Sequence, residues 1–149
     1  MPCGVPLSLA FMPAKSTPLF TNAAGQLTAD PARFLRAYWT AQPRTLADTQ
    51  ALFTNMALLL RQHGWSRILV NQVAMKPFSP AEQQWITQEW MPQAVREAGY
   101  RTGAVVVSTD TYTRLATAYI TTNVGGLPLR YRSFDTEAEA VAWLLQQPA

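Results

Sequence analysis

The chain has little of the side-chain chemistry that builds disulfides, metal centres and catalytic triads. Its single cysteine, Cys3, excludes an intramolecular disulfide and a thiolate metal cluster within these residues. Its single histidine is His63, so a zinc site or a Ser/His/Asp triad would have to be built around that residue alone. No motif supplies His63 with a nucleophile or an orienting group. We therefore expect no catalytic residues, no metal and no cofactor, and a protein that is not an enzyme.

Charged residues are also scarce, at 14% of the chain against a usual fraction of about 25%. Hydrophobic residues make up 48%, which predicts a large core and an apolar surface reserved for a partner or a second subunit. Twelve basic and nine acidic residues are scattered without a run, and this pattern argues against a nucleic-acid partner. No apolar run is long enough to cross a membrane, so we expect no membrane insertion.

The N-terminal stretch reads "MPCGVPLSLAFMPAK". It lacks a basic n-region, contains three prolines and shows no A-x-A cleavage site, so it does not fit a signal peptide. We expect residues 1–16 to be a disordered tail and the protein to be cytoplasmic. The alternative is that translation starts at Met12.

Residues 17–149 are predicted to form a single α/β domain. The first two strands, "PLFTNAAGQLTAD" and "RFLRAYWT", are expected to pair as a hairpin. Three further apolar runs, "SRILVN", "YRTGAVVVS" and "LRYRSF", alternate with helical segments. Alternation of this kind implies crossover connections and a mixed, mainly parallel sheet. We expect about five strands, flanked by four helices, with an antiparallel edge from the N-terminal β-hairpin.

Capping patterns define the predicted helices. Thr45 with Asp48, and Ser79 with Glu82, have the spacing of capping boxes. Pro92 lies inside the second helix, where a lost hydrogen bond costs about 3 kcal/mol and is expected to kink the helix.

The third helix, "TDTYTRLATAYITTN", has apolar residues at helical spacing. Its core face is predicted to comprise Tyr112, Leu115, Ala116 and Tyr119.

The order of elements and the C-terminal stretch "YRSFDTEAEAVAWL" resemble the SpoIIAA-like (STAS-related) bacterial family. In that family a last strand ends in Phe, and an acidic helix start leads to a Trp-Leu pair. "GWSRILVNQ" sits where that fold places its central strand. The resemblance covers roughly residues 20–147 and implies a mixed sheet flanked by helices, with binding or regulation as its role and not catalysis.

The best-known members of the family are anti-sigma-factor antagonists, and the fold also resembles that of CRAL-TRIO lipid carriers. In the antagonists the loop after the central strand reads D-S-S-G, and a serine there accepts phosphate. Here the corresponding stretch is "MKPFSPAE". It lacks the Asp, carries one Ser and replaces the Gly, so the resemblance does not extend to the phosphorylation switch.

The loop at residues 71–79 is nevertheless the preferred place for a ligand. Asn71, Gln72 and Lys76 follow a predicted strand, and open α/β sheets bind ligands at the carboxyl ends of their strands. The alternative is a solvated loop. Ser79 is either a phosphoacceptor at a helix N-terminus or an N-cap worth about 1 kcal/mol, and the sequence favours the cap.

Two further clusters have a structural and a functional interpretation. Phe78, Trp85, Trp90 and Met91 either line an apolar pocket or dimer surface, or pack in the core. Two strand residues of like charge, Arg130 and Arg132, either clamp an acidic partner or form the solvent face of an edge strand.

These features predict a bacterial, non-enzymatic domain of the STAS-like type that regulates or binds a protein partner, or pairs with itself as a homodimer. We place that interaction on the apolar surface around the helix that contains Pro92. The alternative is a carrier or sensor of a small apolar or anionic molecule, bound near loop 71–79. The carrier requires a pocket lined by Phe78 and Trp85 with Lys76 or Asn71 at its mouth. The interaction domain requires no closed cavity.

Overall fold

The computed structural model describes residues 17–149 and shows an α/β fold with a six-stranded mixed sheet and four helices. The strands are β1 Phe20–Thr21, β2 Gly25–Asp30, β3 Phe34–Trp39, β4 Arg67–Asn71, β5 Thr102–Val106 and β6 Arg130–Phe134. The helices are α1 Leu46–His63, α2 (Pro80–Trp85, a π-helical turn Ile86–Trp90, and Met91–Ala98), α3 Thr111–Thr122 and α4 Glu137–Leu145. The predicted tail, Cys3 and Met12 lie outside the described residues.

The strands follow one another across the sheet in the same order as in the sequence. β1, β2 and β3 pair antiparallel, and β3, β4, β5 and β6 pair parallel. The mixed sheet and the hairpin at its start are therefore confirmed.

The predicted number of strands, about five, was one too low. The first predicted strand was expected to contain a turn at Gly25 or Asn22, and the structure has it at Asn22, whose side-chain Oδ1 accepts hydrogen bonds from the amides of Ala24 (2.9 Å) and Gly25 (3.2 Å). An asparagine that bonds the backbone ahead of it reverses the chain, which separates β1 from β2.

The two faces of the sheet are covered unequally. On β3, Leu35 and Trp39 face a large core shared with α1, α2 and α3, whereas Phe34 faces a smaller core shared with α4. This follows from the topology, because right-handed crossovers that all step in one direction place their helices on one face. Among residues 17–149, no helix is both long enough and apolar enough to span a bilayer.

Local signals in the sequence set the helix ends. Thr45 and Ser79 form complete capping boxes with Asp48 and Glu82, as predicted. A π-helical turn lies just before Pro92, and in it Met91 N–H bonds Ile86 O. A proline and a π-helical turn are both known causes of a kink in a helix.

The predicted core face of α3 was right for Ala116 and wrong for its other three residues. Tyr112, Leu115 and Tyr119 are exposed by 74%, 63% and 52% respectively. The helix instead buries a face of mostly small or polar residues: Thr113, Ala116, Thr117 and Ile120. Hydrophobic spacing alone chose the wrong side, because the interior beside α3 is already filled by aromatic and aliphatic side chains from the sheet and α2.

The buried side chain of Arg67 links α4 to the sheet by hydrogen bonds. Its Nη1 donates to Leu144 O (3.2 Å) near the end of α4, and its Nη2 donates to Ala32 O (2.8 Å) in the β2–β3 turn. A guanidinium at a helix C-terminus satisfies free carbonyls and suits the negative end of the helix dipole.

Gly103 in β5 lies beneath two tyrosines of the main core. Tyr100 Oη donates to Tyr131 Oη at 2.9 Å. Burial raises the pKa of both phenols, which keeps both neutral. A Cβ at position 103 would overlap the Tyr131 ring and the Tyr100 hydroxyl.

We expect Gly103→Ala to lower the free energy of unfolding by about 1–3 kcal/mol, the usual cost of overpacking a core. Urea unfolding monitored by circular dichroism measures this change. Gly125→Ala is the matched control, because a Cβ there meets no atom within 4 Å. Equal effects of the two substitutions would contradict the packing described for β5.

Candidate functional site

The loop between β4 and α2 is organised by a buried ion pair. Arg44, in the turn between β3 and α1, donates from Nε to Glu82 Oε2 (2.8 Å) and from Nη2 to Glu82 Oε1 (3.0 Å). Each side chain is only 6% exposed. A bidentate arginine–carboxylate pair is both stronger and more directional than a single charged hydrogen bond. The pair therefore fixes α2 against the start of α1.

The same guanidinium holds the loop itself. Arg44 donates to Lys76 O (3.2 Å) and to Pro77 O (3.1 Å). It also lies over the rings of Trp39 (5.3 Å) and Phe78 (5.5 Å), where the ring faces attract a cation. The predicted ligand loop, residues 71–79, is thus held by a residue 32 and 33 positions before the two carbonyls it bonds.

Glu82 is fully engaged as an acceptor. It receives hydrogen bonds from the Thr49 hydroxyl and from Ser79 N–H (2.7 Å), in addition to Arg44. Burial by itself raises the pKa of the Glu82 carboxyl, but the hydrogen bonds from Arg44, Thr49 and Ser79 outweigh it and hold the pKa below its ordinary value. Glu82 therefore stays ionised and acts as a structural anchor.

Ser79 and Lys76 border one open surface groove of about 310 Å³, together with Arg44 and Glu82. The Ser79 hydroxyl accepts the Glu82 amide at 3.1 Å, so the capping interpretation is confirmed. The Lys76 side chain is exposed, and it is the backbone carbonyl of this residue that makes the recorded contact, with Arg44.

Asn71 and Gln72 are separated by the sheet. Asn71 Nδ2 donates to Glu137 Oε2 (3.0 Å) on the α4 side. Gln72 Oε1 accepts from Thr117 Oγ1 (2.8 Å) of α3, in the main core. Because successive residues of an extended chain point to opposite faces, these two amides do not converge on one ligand.

The aromatic members of the predicted site belong to the core. Phe78 is buried edge-on against Trp39, at a centroid distance of 5.2 Å. Trp85 is partly buried against Phe53, at 6.1 Å. Trp90 and Met91 are also buried. The cluster thus packs in the core, and Trp85 and Trp90 also border an open groove of about 200 Å³ between α1 and α2.

A second polar cluster lies on the α4 side, where β3 and β4 end. Arg36 bridges Asp30 (2.8 Å) and Glu137 (2.9 Å), and Tyr38 Oη lies 3.4 Å from the same Glu137 oxygen. Sequence reasoning missed this cluster, because its members are separated by up to about a hundred residues and share no local motif. Its contacts tie the start of α4 to the sheet.

The main core contains a small cavity of about 30 Å³ between the sheet and helices α1, α2 and α3. That space is enough for about two water-sized groups. Its polar wall residues are Gln72, Thr117, Thr121 and Tyr131. Trp39 also lines it, and the buried Trp39 Nε1–H has no hydrogen-bond partner among residues 17–149. Of the residues predicted for a ligand pocket, Phe78 and Gln72 line this cavity, and Asn71, Lys76, Ser79 and Trp85 do not.

His63 is engaged at the end of α1. Its Nδ1 lies 2.9 Å from Leu59 O, and its ring stacks on Trp65 at 4.2 Å. These contacts position the imidazole as part of the helix terminus.

Comparisons with known proteins returned nothing: no protein-family model, no curated protein and no solved structure matches the chain. The resemblance to the SpoIIAA-like family therefore stays a prediction that rests on the residues quoted for it.

The ion pair predicts a defined response to acid. Because the folded state lowers the pKa of Glu82, its stabilising contribution is complete above the ordinary value of 4.5. It is lost as the pH falls through the lower, folded-state pKa. Glu82→Gln should lower the free energy of unfolding by about 3–5 kcal/mol at neutral pH, because it leaves Arg44 buried without a counter-charge.

Urea unfolding at a series of pH values between neutral and acidic conditions measures both effects. Glu89→Gln, at an exposed position on the same helix, is the matched control and should unfold like the wild type. If Glu82→Gln showed the wild-type loss of stability on acidification, the ion pair would not be the anchor described here.

Proposed function

We propose that this chain is a non-enzymatic protein-interaction domain of the STAS-like type, bacterial and cytoplasmic, and that it pairs with a second copy of itself through the outer face of α3. The observation that carries the proposal is the exposed set Tyr112, Leu115 and Tyr119. The surface around α2 remains the alternative place for a partner, and we favour α3 because two of its tyrosines and one leucine are more than half exposed.

The composition of α3 supports a protein contact. Exposed apolar side chains at positions i, i+3 and i+7 form one stripe along a helix. Removing apolar surface from water contributes roughly 25 cal/mol for each Å², and tyrosine is enriched at the centres of protein interfaces. Arg114 is the one charged residue of α3, so the stripe offers little attraction to nucleic acid or to an anionic lipid surface.

The spacing of the stripe also suits a two-fold contact. In an antiparallel pair of α3 helices, Leu115 would lie near the two-fold axis, and Tyr112 of each copy would face Tyr119 of the other. A two-fold interface uses the same patch on both subunits, and this patch satisfies that requirement. The antiparallel arrangement also opposes the two helix dipoles favourably.

The test is the molar mass in solution, measured by light scattering after size exclusion over a wide range of protein concentration. We expect the wild type to be a dimer and the combined variant Tyr112→Ser, Leu115→Ser, Tyr119→Ser to be a monomer. Because these side chains are exposed within one copy, the monomeric variant should retain wild-type secondary structure by circular dichroism.

Leu58→Ser and Leu145→Ser are the controls, since both leucines are exposed but lie on other helices. They should leave the dimer intact. A wild-type chain that is monomeric at every concentration, or a dimer that the α3 variant does not dissociate, would overturn the self-association proposed here.

The cavity beneath α3 supports a second candidate function, the binding of a small molecule. An unsatisfied buried donor such as Trp39 Nε1 costs about 1–3 kcal/mol, and a ligand with a hydrogen-bond acceptor would remove that cost. Gln72 and Thr117 supply further polar groups at the same cavity. The small residues on the inner face of α3 would allow this helix to shift outward around a ligand.

We expect native mass spectrometry of the protein from its own host to show a non-covalent adduct that Trp39→Phe reduces. That substitution keeps an aromatic ring and removes the donor. Val141→Ala, on the opposite face of the sheet, is the control and should retain the adduct. If no adduct appears and Trp39→Phe only raises stability, the cavity holds water at most and the second candidate fails.

A further inference from the structure

β6 is an edge of the sheet with free backbone hydrogen-bonding groups. It pairs with β5, and no strand lies on its other side among the residues described. Arg130 N–H bonds Arg101 O (2.9 Å), and Phe134 O accepts Val107 N–H (3.0 Å), so these two residues turn their backbone groups toward β5. Because backbone groups alternate along a strand, those of Tyr131 and Ser133 point away from the sheet.

This edge is the longer of the two edges that the structure describes. β1, at the opposite edge, contains two residues, whereas β6 contains five. An extended, unpaired edge is a template on which another chain can add a strand. The exposure of Ser133 leaves this part of the edge open.

The charge along β6 is entirely positive. Arg130 and Arg132 are exposed and lie on one face of the strand. Arg130 Nη1 donates to the neutral Gln147 side chain (2.9 Å), and the Arg132 guanidinium lies 5.4 Å from the Phe134 ring centroid. The ion pairs described within residues 17–149 involve neither arginine.

A third arginine lies near the amino end of the strand, where Arg101 Nη1 donates to Val95 O (2.9 Å) and Tyr100 O (2.7 Å). Arg101 and Arg130 border the same open groove, which has a volume of about 570 Å³ and also includes Ser66, Leu127 and Pro128. Acidic side chains at alternate positions of an added strand would project on the same face as Arg130 and Arg132. Such residues would complement the charge of this edge.

We infer that the β6 edge binds an extended acidic segment of a partner protein by strand addition. The backbone of that segment pairs with Tyr131 and Ser133, and its alternate Glu or Asp side chains meet Arg130 and Arg132. The inference rests on the proposed function as a protein-interaction domain, and it names the chemistry of a partner at a surface separate from the α3 stripe.

The probe is a fluorescein-labelled, acetylated and amidated heptapeptide that alternates Glu with Val, and the measurement is fluorescence anisotropy with the full chain at low salt. We expect saturable binding that weakens with added salt. The combination Arg130→Glu, Arg132→Glu should weaken it by about tenfold or more, because two favourable ion pairs become two repulsive ones. A peptide with Lys in place of Glu should not bind.

Backbone pairing is tested separately from charge. Ser133→Pro removes one outward amide hydrogen without touching the ladder to β5, and edge strands tolerate proline at such positions. Ser133→Ala is its matched control. Should Ser133→Pro unfold the chain, a peptide N-methylated at alternate residues removes the same type of hydrogen bond from the other side and leaves the protein unchanged.

Loss of binding with Ser133→Pro or with the N-methylated peptide, and retention with Ser133→Ala, would support strand addition. Binding that depends on the arginines but tolerates both backbone changes would overturn it in favour of charge attraction alone. Absence of binding would overturn it as well, as would aggregation of the Arg130→Glu, Arg132→Glu variant without peptide, since the arginines would then serve to block edge pairing.

The α3 variant separates this inference from the proposed function. If the wild type is an α3-dependent dimer and the peptide does not bind, the β6 inference alone fails. If the peptide binds through β6 and the wild type is monomeric, self-association through α3 alone fails.

Discussion

The buried ion pair between Arg44 and Glu82 is the contact on which the arrangement of the carboxyl end of the sheet depends. It joins the β3–α1 turn to α2 and holds two carbonyls of the intervening loop. Taking both charges out of water is costly, and the cost is offset only where every donor and acceptor is used. Here Thr49 and the Ser79 amide complete the set around the carboxylate. The loop is thus held in one conformation, and the contacts of these residues stabilise the fold.

Much of the secondary structure could be predicted because it is decided locally. Thr45 and Ser79 cap helices through side chains that bond the amide three residues on. Gly99 ends α2 in the left-handed conformation at φ 77°. The alternation along β3, with Phe34 on one face and Leu35 on the other, is a property of any extended chain. These signals involve neighbours within four residues, so a single sequence contains them.

The candidate site could not be predicted in the same way, because its contacts join distant parts of the chain. Nothing near Glu82 indicates that Arg44 will neutralise it. Tyr112 and Leu115 have the spacing of a core stripe. Which face of a helix is buried, however, depends on its contacts with the rest of the fold. Asn71 and Gln72 are adjacent in sequence, yet the pleat of the strand sends them to opposite faces. Position in the sequence placed both residues at the carboxyl end of β4, and only the three-dimensional structure shows which partner each amide contacts.

The sequential order of the strands has a consequence for assembly. Each strand pairs with the strand just before it in the chain, so the sheet can grow from its amino end as synthesis proceeds, without waiting for a distant segment. Pairing between successive strands keeps the loops that must close shorter than they would be in a sheet with a shuffled strand order. The exception is α4, whose terminal carbonyl reaches back across 77 residues to Arg67. We therefore expect α4 to pack onto the sheet last during folding. Until it does, the side chains of Arg67, Leu69 and Phe34 are exposed to solvent.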